Sequence, residues 1–146
     1  MSKIVPTISS GVAGPLGVLH LPRFWQKACL DAVGKLHDEY PACGPGYDQM
    51  TLDALGLDKE ATLAFLAAEK PSYPAFEDWV RAHGSFDESA IEKHNAAVTG
   101  YIHDDGTRAE ILSAAGLTDE TYPFRDAVNL NNLDDWTIFH AQEIAG

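Results

Sequence analysis

The chain has 146 residues, of which 45% are apolar and 10% aromatic, so one domain with a substantial core is expected and a disordered chain is not. Its 22 acidic residues outnumber 10 Lys and Arg, and a formal charge of −12 argues against nucleic acid or a membrane as partner. Cys29 and Cys43 match neither a CxxC nor a paired metal-ligand spacing, so we expect free thiols and a reducing, cytoplasmic location.

The first 20 residues predict an extended N-terminal arm, because glycines and prolines interrupt them and no helical period appears. The mildly apolar stretch 12–21 within the arm is a poor signal peptide and too short to span a bilayer. Residues 21–146 are expected to form a single helical domain. Within it, residues 103–146 are expected to pack as a C-terminal extension.

The first helix is predicted over residues 22–39. Pro22 suits a first helical turn, and apolar side chains follow at intervals of three or four residues until Pro41 ends the pattern. A short helix reaching Gly56 and a helix from Asp58 to about Glu69 are expected next. The loop 41–46 between the first two helices cannot continue a helix, and it is predicted to be an ordered turn or a site loop.

Capping patterns predict the remaining helices. Pro74 opens a helix that Gly84 stops, and the pair Ser85 and Glu88 announces another that runs to about His103 and buries Tyr101 and Ile102. The pair Thr107 and Glu110 precedes a further helix, and Asn132 is the expected cap of the last. No segment reads as a strand. The predicted fold class is therefore all-α, a compact bundle of six or seven short helices.

One strip of the first helix carries polar residues opposite its apolar stripe, namely Arg23, Lys27, Asp31, Gly34 and Asp38. A strip of this kind usually faces water. A glycine within a helix, however, often marks close approach by another chain or a ligand. The arm, a second subunit or an anionic small molecule would each cover the strip, and the two cations, one turn apart, would suit a carboxylate or phosphate.

His94 and Asn95 lie within or beside the apolar stripe of their helix, where a polar side chain needs a partner. They are either satisfied by hydrogen bonds in the core or form a general base and a substrate-orienting group in a pocket. His140 occupies an equivalent inward position on the last helix. If the two helices pack together, His94 and His140 would share one pocket.

Other candidate chemistries have weaker patterns. Cys43 is either a buried thiol or a nucleophile exposed in the glycine- and proline-containing loop 41–46. No GxSxG elbow or phosphate-binding glycine loop occurs, so serine catalysis and nucleotide binding are not expected. Six histidines are present without any metal-ligand spacing, so neither a metal nor an organic cofactor is predicted.

The stretch from Leu21 to about Asn95 resembles a family of small bacterial proteins of unassigned function. The resemblance rests on the order of short patterns: Leu21-Pro22-Arg23 with Lys27, Tyr40 followed by Cys43 and Asp48, Leu55-Gly56-Leu57-Asp58, Trp79-Val80, and Ile91 before Asn95. It covers about half of the chain. It implies a helical fold and draws attention to Arg23, Lys27, Tyr40, Cys43, Asp48 and Asn95, but it implies no activity.

The favoured hypothesis is a cofactor-independent lyase, isomerase or hydrolase acting on an anionic or oxygenated small molecule. His94 or Asp48 would accept the proton and Tyr40 would donate a hydrogen bond. Substrate binding would fall to Arg23, Lys27, Cys43, Asn95 and His140. Two alternatives remain open: a non-catalytic helical module that dimerises or binds a protein partner, and a metal-dependent oxygenase.

Overall fold

The computed structural model describes residues 3–146, and this part of the chain is all-α, as predicted. The described residues form seven α-helices and a closing π-helical turn: α1 Leu21–Ala32, α2 Tyr47–Ala54, α3 Lys59–Glu69, α4 Tyr73–His83, α5 Glu88–Gly100, α6 Asp105–Ala115, α7 Ala127–Phe139 and the turn His140–Ile144. Extended pairing within residues 3–146 is limited to three isolated bridges. None of the described helices is long and apolar enough to cross a membrane.

The first helix is shorter than predicted, and Gly34 lies outside it. Helix α1 ends at Ala32, and Gly34 follows with a φ of +72°, the left-handed conformation that favours glycine after a helix. Its N–H donates to the Asp31 carbonyl at 3.0 Å, and the Lys35 N–H donates to the Leu30 carbonyl at 2.8 Å. Gly34 therefore ends the helix, and the prediction that it marks a covered site in the helix interior is wrong.

Aspartate caps most of the later helices. Asp87 accepts the Ser89 N–H before α5, Asp104 accepts the Thr107 N–H before α6, and Asp126 accepts the Asn129 N–H before α7. A carboxylate here satisfies a free N–H and complements the positive end of the helix dipole. The caps predicted at Ser85, Thr107 and Asn132 are therefore misplaced, and α7 begins five residues before its predicted cap.

The main core lies between the arm and the first four helices. Its fully buried members are Val18, Leu21, Phe24, Leu52, Leu55, Leu66, Phe76 and Val80. A smaller cluster of Ile111, Leu112 and Leu130 joins α6 to α7. Tyr101 and Ile102 are exposed, contrary to prediction, because α5 already ends at Gly100.

The N-terminal arm is extended, as predicted, but it is built into the domain. Val5, Ser10 and Val18 of the arm are buried. Asn95 of α5 binds the C-terminal end of the arm. Its side chain accepts the Leu19 N–H at 3.0 Å and donates to the Gly17 carbonyl at 2.8 Å. The arm and α5 together fix the position at which α1 begins.

Candidate active site

A cavity of about 380 Å³ opens between the end of the arm, the starts of α1 and α2, and one face of α7. Polar side chains from all of these elements line it: Ser10, His20, Arg23, Lys27, Tyr40, Asp48, Asn131, Asp134 and Asp135. The cavity volume lies in the range of small-molecule sites. Most of its polar residues form two groups, one centred on Asp48 and one on Asp135, while Asn131 contacts His103.

Asp48 lies in the first turn of α2 and is the centre of the first group. Its Oδ1 lies 2.6 Å from His20 Nε2, and its Oδ2 accepts from Lys27 Nζ at 2.6 Å and from the Gly44 N–H at 2.8 Å. His20 Nδ1 in turn lies 2.9 Å from Ser10 Oγ. All four side chains are buried, so the group is a connected network shielded from bulk water.

The surroundings of Asp48 and His20 set the protonation states of these two residues. Burial alone would raise the pKa of Asp48, but the hydrogen bond from His20 and the charge of Lys27 outweigh it and lower that pKa. Burial lowers the pKa of His20 below its ordinary value of 6.5, against the opposing influence of Asp48. At neutral pH Asp48 is therefore a carboxylate and His20 is a neutral imidazole.

His20 has an unusual backbone. It precedes α1 with a φ of +73°, a conformation that costs energy for a residue with a side chain. Its N–H donates to the Val12 carbonyl, and both ring nitrogens have partners, so its surroundings hold it in this state. Strain of this kind is concentrated at functional sites.

The second group joins α1 to α7. Arg23 donates to both carboxylate oxygens of Asp135, at 2.7 and 3.1 Å, and to the Ile8 carbonyl of the arm at 2.8 Å. Tyr40 donates its hydroxyl to the same Asp135 at 2.7 Å. Burial, followed by this contact with Asp135, raises the pKa of Tyr40 far above its usual range. Tyr40 therefore keeps its proton.

Negative charge prevails around the cavity. Arg23 and Lys27 each neutralise one carboxylate, while Glu39 and Asp134 also line the cavity. Burial, and then the charges of Asp135 and Glu39, raise the pKa of Asp134. Both cations are buried, so the expectation of a solvated strip fails at these positions, and both are already paired to carboxylates within the protein.

The structure brings half of the predicted site residues together. Arg23, Lys27, Tyr40 and Asp48 line the cavity, whereas Cys43, His94, Asn95 and His140 do not. Asn95 fastens the arm. Cys43 is half-buried against the core, and burial, followed by the charge of Asp48, raises the pKa of its thiol.

The pocket expected between His94 and His140 does not form. His94 is buried, and its Nε2 lies 2.9 Å from the Leu19 carbonyl, so it has the satisfied core role that was the alternative prediction. His140 is exposed on the closing π-helical turn, because the helical period of α7 changes there. The two residues therefore belong to different environments.

The polar residues of the cavity that were not predicted from the sequence include Ser10, His20, Asn131, Asp134 and Asp135. A signal existed for His20, which is polar and stands directly before Leu21 and Pro22, where a cap is expected. No local pattern marks Ser10 or Asp135, since the partner of Asp135 is Arg23, 112 residues earlier.

A larger recess of about 480 Å³ borders α6, but its buried Arg108 is already committed to Asp119 and to the carbonyls of Tyr122 and Phe124. Among residues 3–146, no group of three or more His, Cys, Asp or Glu is arranged to hold a metal ion. Of these two recesses, the cavity at His20 and Asp48 is the one lined by a connected network of titratable side chains.

No protein-family model matches this sequence, and no curated protein matches it at a significant level.

Proposed function

We propose that the chain is a cofactor-independent enzyme that performs general acid/base catalysis on a small oxygenated molecule bound in the 380 Å³ cavity. His20 is the proton acceptor and Asp48 orients it. This proposal assigns to His20 the role that the sequence suggested for His94, because His94 is bound to the arm backbone.

The observation that carries the proposal is the buried hydrogen-bonded pair of Asp48 Oδ1 and His20 Nε2 at 2.6 Å beside a cavity. An imidazole that is neutral at pH 7 and has one nitrogen fixed by a carboxylate is ready to accept a proton on the other. Lys27 supports the pair, because its contact with Asp48 keeps that carboxylate ionised.

The charge of the site narrows the substrate class to a neutral or cationic molecule. The two buried cations are neutralised by Asp48 and Asp135, and further carboxylates remain at the cavity wall. An anion would have to displace one of these pairs or bind against like charge. Hydroxyl, ester or amide groups would instead exchange hydrogen bonds with Tyr40 and Asn131.

The test is a turnover screen of small neutral and cationic esters, amides, lactones and hydroxy compounds. For any substrate found, His20→Gln and Asp48→Asn should each lower kcat by about 100-fold or more, the usual contribution of a positioned acid/base group. His83→Gln is the matched control, since His83 is exposed on α4 away from the cavity. Circular dichroism verifies that each variant is folded. Absence of turnover across the screen, or wild-type turnover in both site variants, contradicts the proposal.

A second candidate, self-association, is favoured by a separate observation. Trp136, Phe139 and Ile144 are apolar and 64%, 46% and 67% exposed near the end of the chain. The first two border a groove whose other wall is residues 5–9 of the arm. A second copy of this chain would cover these side chains, and Trp136→Glu should then lower the sedimentation mass to that of a monomer. A wild-type protein that sediments as a monomer removes this candidate.

A further inference from the structure

Ser10, His20 and Asp48 are connected in that order by hydrogen bonds at the cavity. Ser10 lies in a turn of the arm, it is buried, and its Oγ is 2.9 Å from His20 Nδ1. We propose that Ser10 is a nucleophile activated by His20 and Asp48, and that the enzyme transfers acyl groups from small neutral or cationic carboxylic esters. This inference rests on the proposed function and names its nucleophile and substrate class.

The hydrogen bonds have only one consistent direction. Asp48 is ionised and can only accept, so the proton between Asp48 and His20 belongs to His20 Nε2. A neutral imidazole carries one proton, and Nδ1 is therefore an acceptor. Ser10 must then donate its hydroxyl hydrogen to Nδ1. Its proton is aimed at the group that would remove it.

This arrangement has the functional logic of a catalytic serine, histidine and aspartate set. Such sets recur on unrelated folds and in different chain orders, and they are recognised by geometry and not by a sequence motif. Here the serine is bound to Nδ1 and the aspartate to Nε2. The absence of a GxSxG elbow argued against serine catalysis only for one fold, because that motif describes a strand-to-helix turn.

The proposed reaction balances without a cofactor. Ser10 Oγ attacks the ester carbonyl carbon while His20 Nδ1 takes the hydroxyl proton, and the carbonyl oxygen becomes an oxyanion. The C–O bond to the alcohol then breaks, and His20 returns the proton to the departing alkoxide. Water, deprotonated by His20, then attacks the acyl carbon, the bond from that carbon to Ser10 Oγ breaks, and His20 returns the proton to Ser10 as the carboxylic acid leaves.

Cys43, the other candidate nucleophile, has no comparable arrangement. Cys43 is not among the residues that line the cavity. The nearby charge of Asp48 raises the pKa of its thiol, and no histidine is positioned to take the thiol proton. A thiol whose pKa is raised is a poor nucleophile at neutral pH. Ser10 is therefore favoured because it has a base, an orienting carboxylate and access to the cavity.

The test uses diisopropyl fluorophosphate, which reports an activated serine without knowledge of the substrate. Attack by Ser10 Oγ on phosphorus expels fluoride, and the Ser10 proton leaves through His20. Intact-protein mass should show one adduct per chain, and peptide mass spectrometry should place it on Ser10. Ser10→Ala should abolish the adduct, and His20→Gln should slow labelling by about 100-fold or more. Ser113→Ala, which removes an exposed serine from α6, should label like the wild type.

Ser10→Cys is a second variant that tests the same position if Ser10→Ala does not fold. A cysteine at this position should react with iodoacetamide faster than Cys43 does, because His20 takes its proton. An unlabelled wild type, an adduct on another residue, or equal labelling of His20→Gln overturns the inference. If the turnover screen succeeds through His20 while Ser10 remains unlabelled, only the nucleophile assignment fails. If both turnover and labelling are absent, the proposed function fails with it.

Discussion

Removing the charge of Asp135 should destabilise the protein severely, because Arg23 would be left buried without a counter-ion. The side chains of Arg23 and Asp135 are only 7% and 10% exposed, and both oxygens of Asp135 accept from Arg23. Loss of one partner of such a pair costs about 3–5 kcal/mol. Total stabilities of domains are about 5–15 kcal/mol, so Asp135→Asn should remove a large part of the free energy of unfolding.

Asp134→Asn is the matched control, one residue away on the same helix. The pKa of Asp134 is raised by burial and by the charges of Asp135 and Glu39, so neutralising it relieves an unfavourable charge and should cost no stability. The assay is urea unfolding followed by tryptophan fluorescence. With a slope of about 1.5 kcal/mol per molar urea, Asp135→Asn should lower the midpoint by about 2 M or more.

A double variant separates the unpaired charge from other effects. Arg23→Met combined with Asp135→Asn removes both charges, and it should recover most of the stability that Asp135→Asn loses. Equal midpoints for Asp135→Asn and Asp134→Asn would refute the reasoning. A double variant no more stable than the single one would also refute it.

The wild type should lose stability as pH falls below about 6.5. In this range His20 binds a proton in the unfolded chain, whereas burial lowers its pKa in the folded protein and keeps it neutral. The difference in unfolding free energy between wild type and His20→Asn should therefore change by at most about 1.4 kcal/mol per pH unit, and a constant difference between pH 7 and 5 contradicts this reasoning. Gly14→Ala should lower the unfolding free energy by about 1–3 kcal/mol in calorimetry, since a Cβ there would lie 2.5 Å from Tyr73 and 2.6 Å from Glu77. Cys43 should react slowly with a disulfide reagent at pH 7 and faster as pH rises, because its pKa is raised; rapid reaction at pH 7 would show that the thiol is ionised.

The sequence by itself determined the all-α class and most helix positions. Apolar spacing, prolines and glycines are local signals, and helix hydrogen bonds join residues four apart, so a short window contains the information. Asp58 was predicted as a cap and is one. Gly34 was misread because the apolar period continues past it, whereas its left-handed backbone ends α1.

Only the tertiary structure decided the site. His20 and Asp48 are 28 residues apart, and Arg23 and Asp135 are 112 apart, so no local pattern joins them. From the sequence alone, a lysine or arginine on a polar strip of a helix is expected to face water. Only the tertiary structure shows the distant carboxylate with which it is buried as a pair. The arm is held on α5 by the hydrogen bonds of Asn95, and α7 is joined to α1 by the pair of Asp135 and Arg23. These long-range contacts bring separate polar residues together into connected networks.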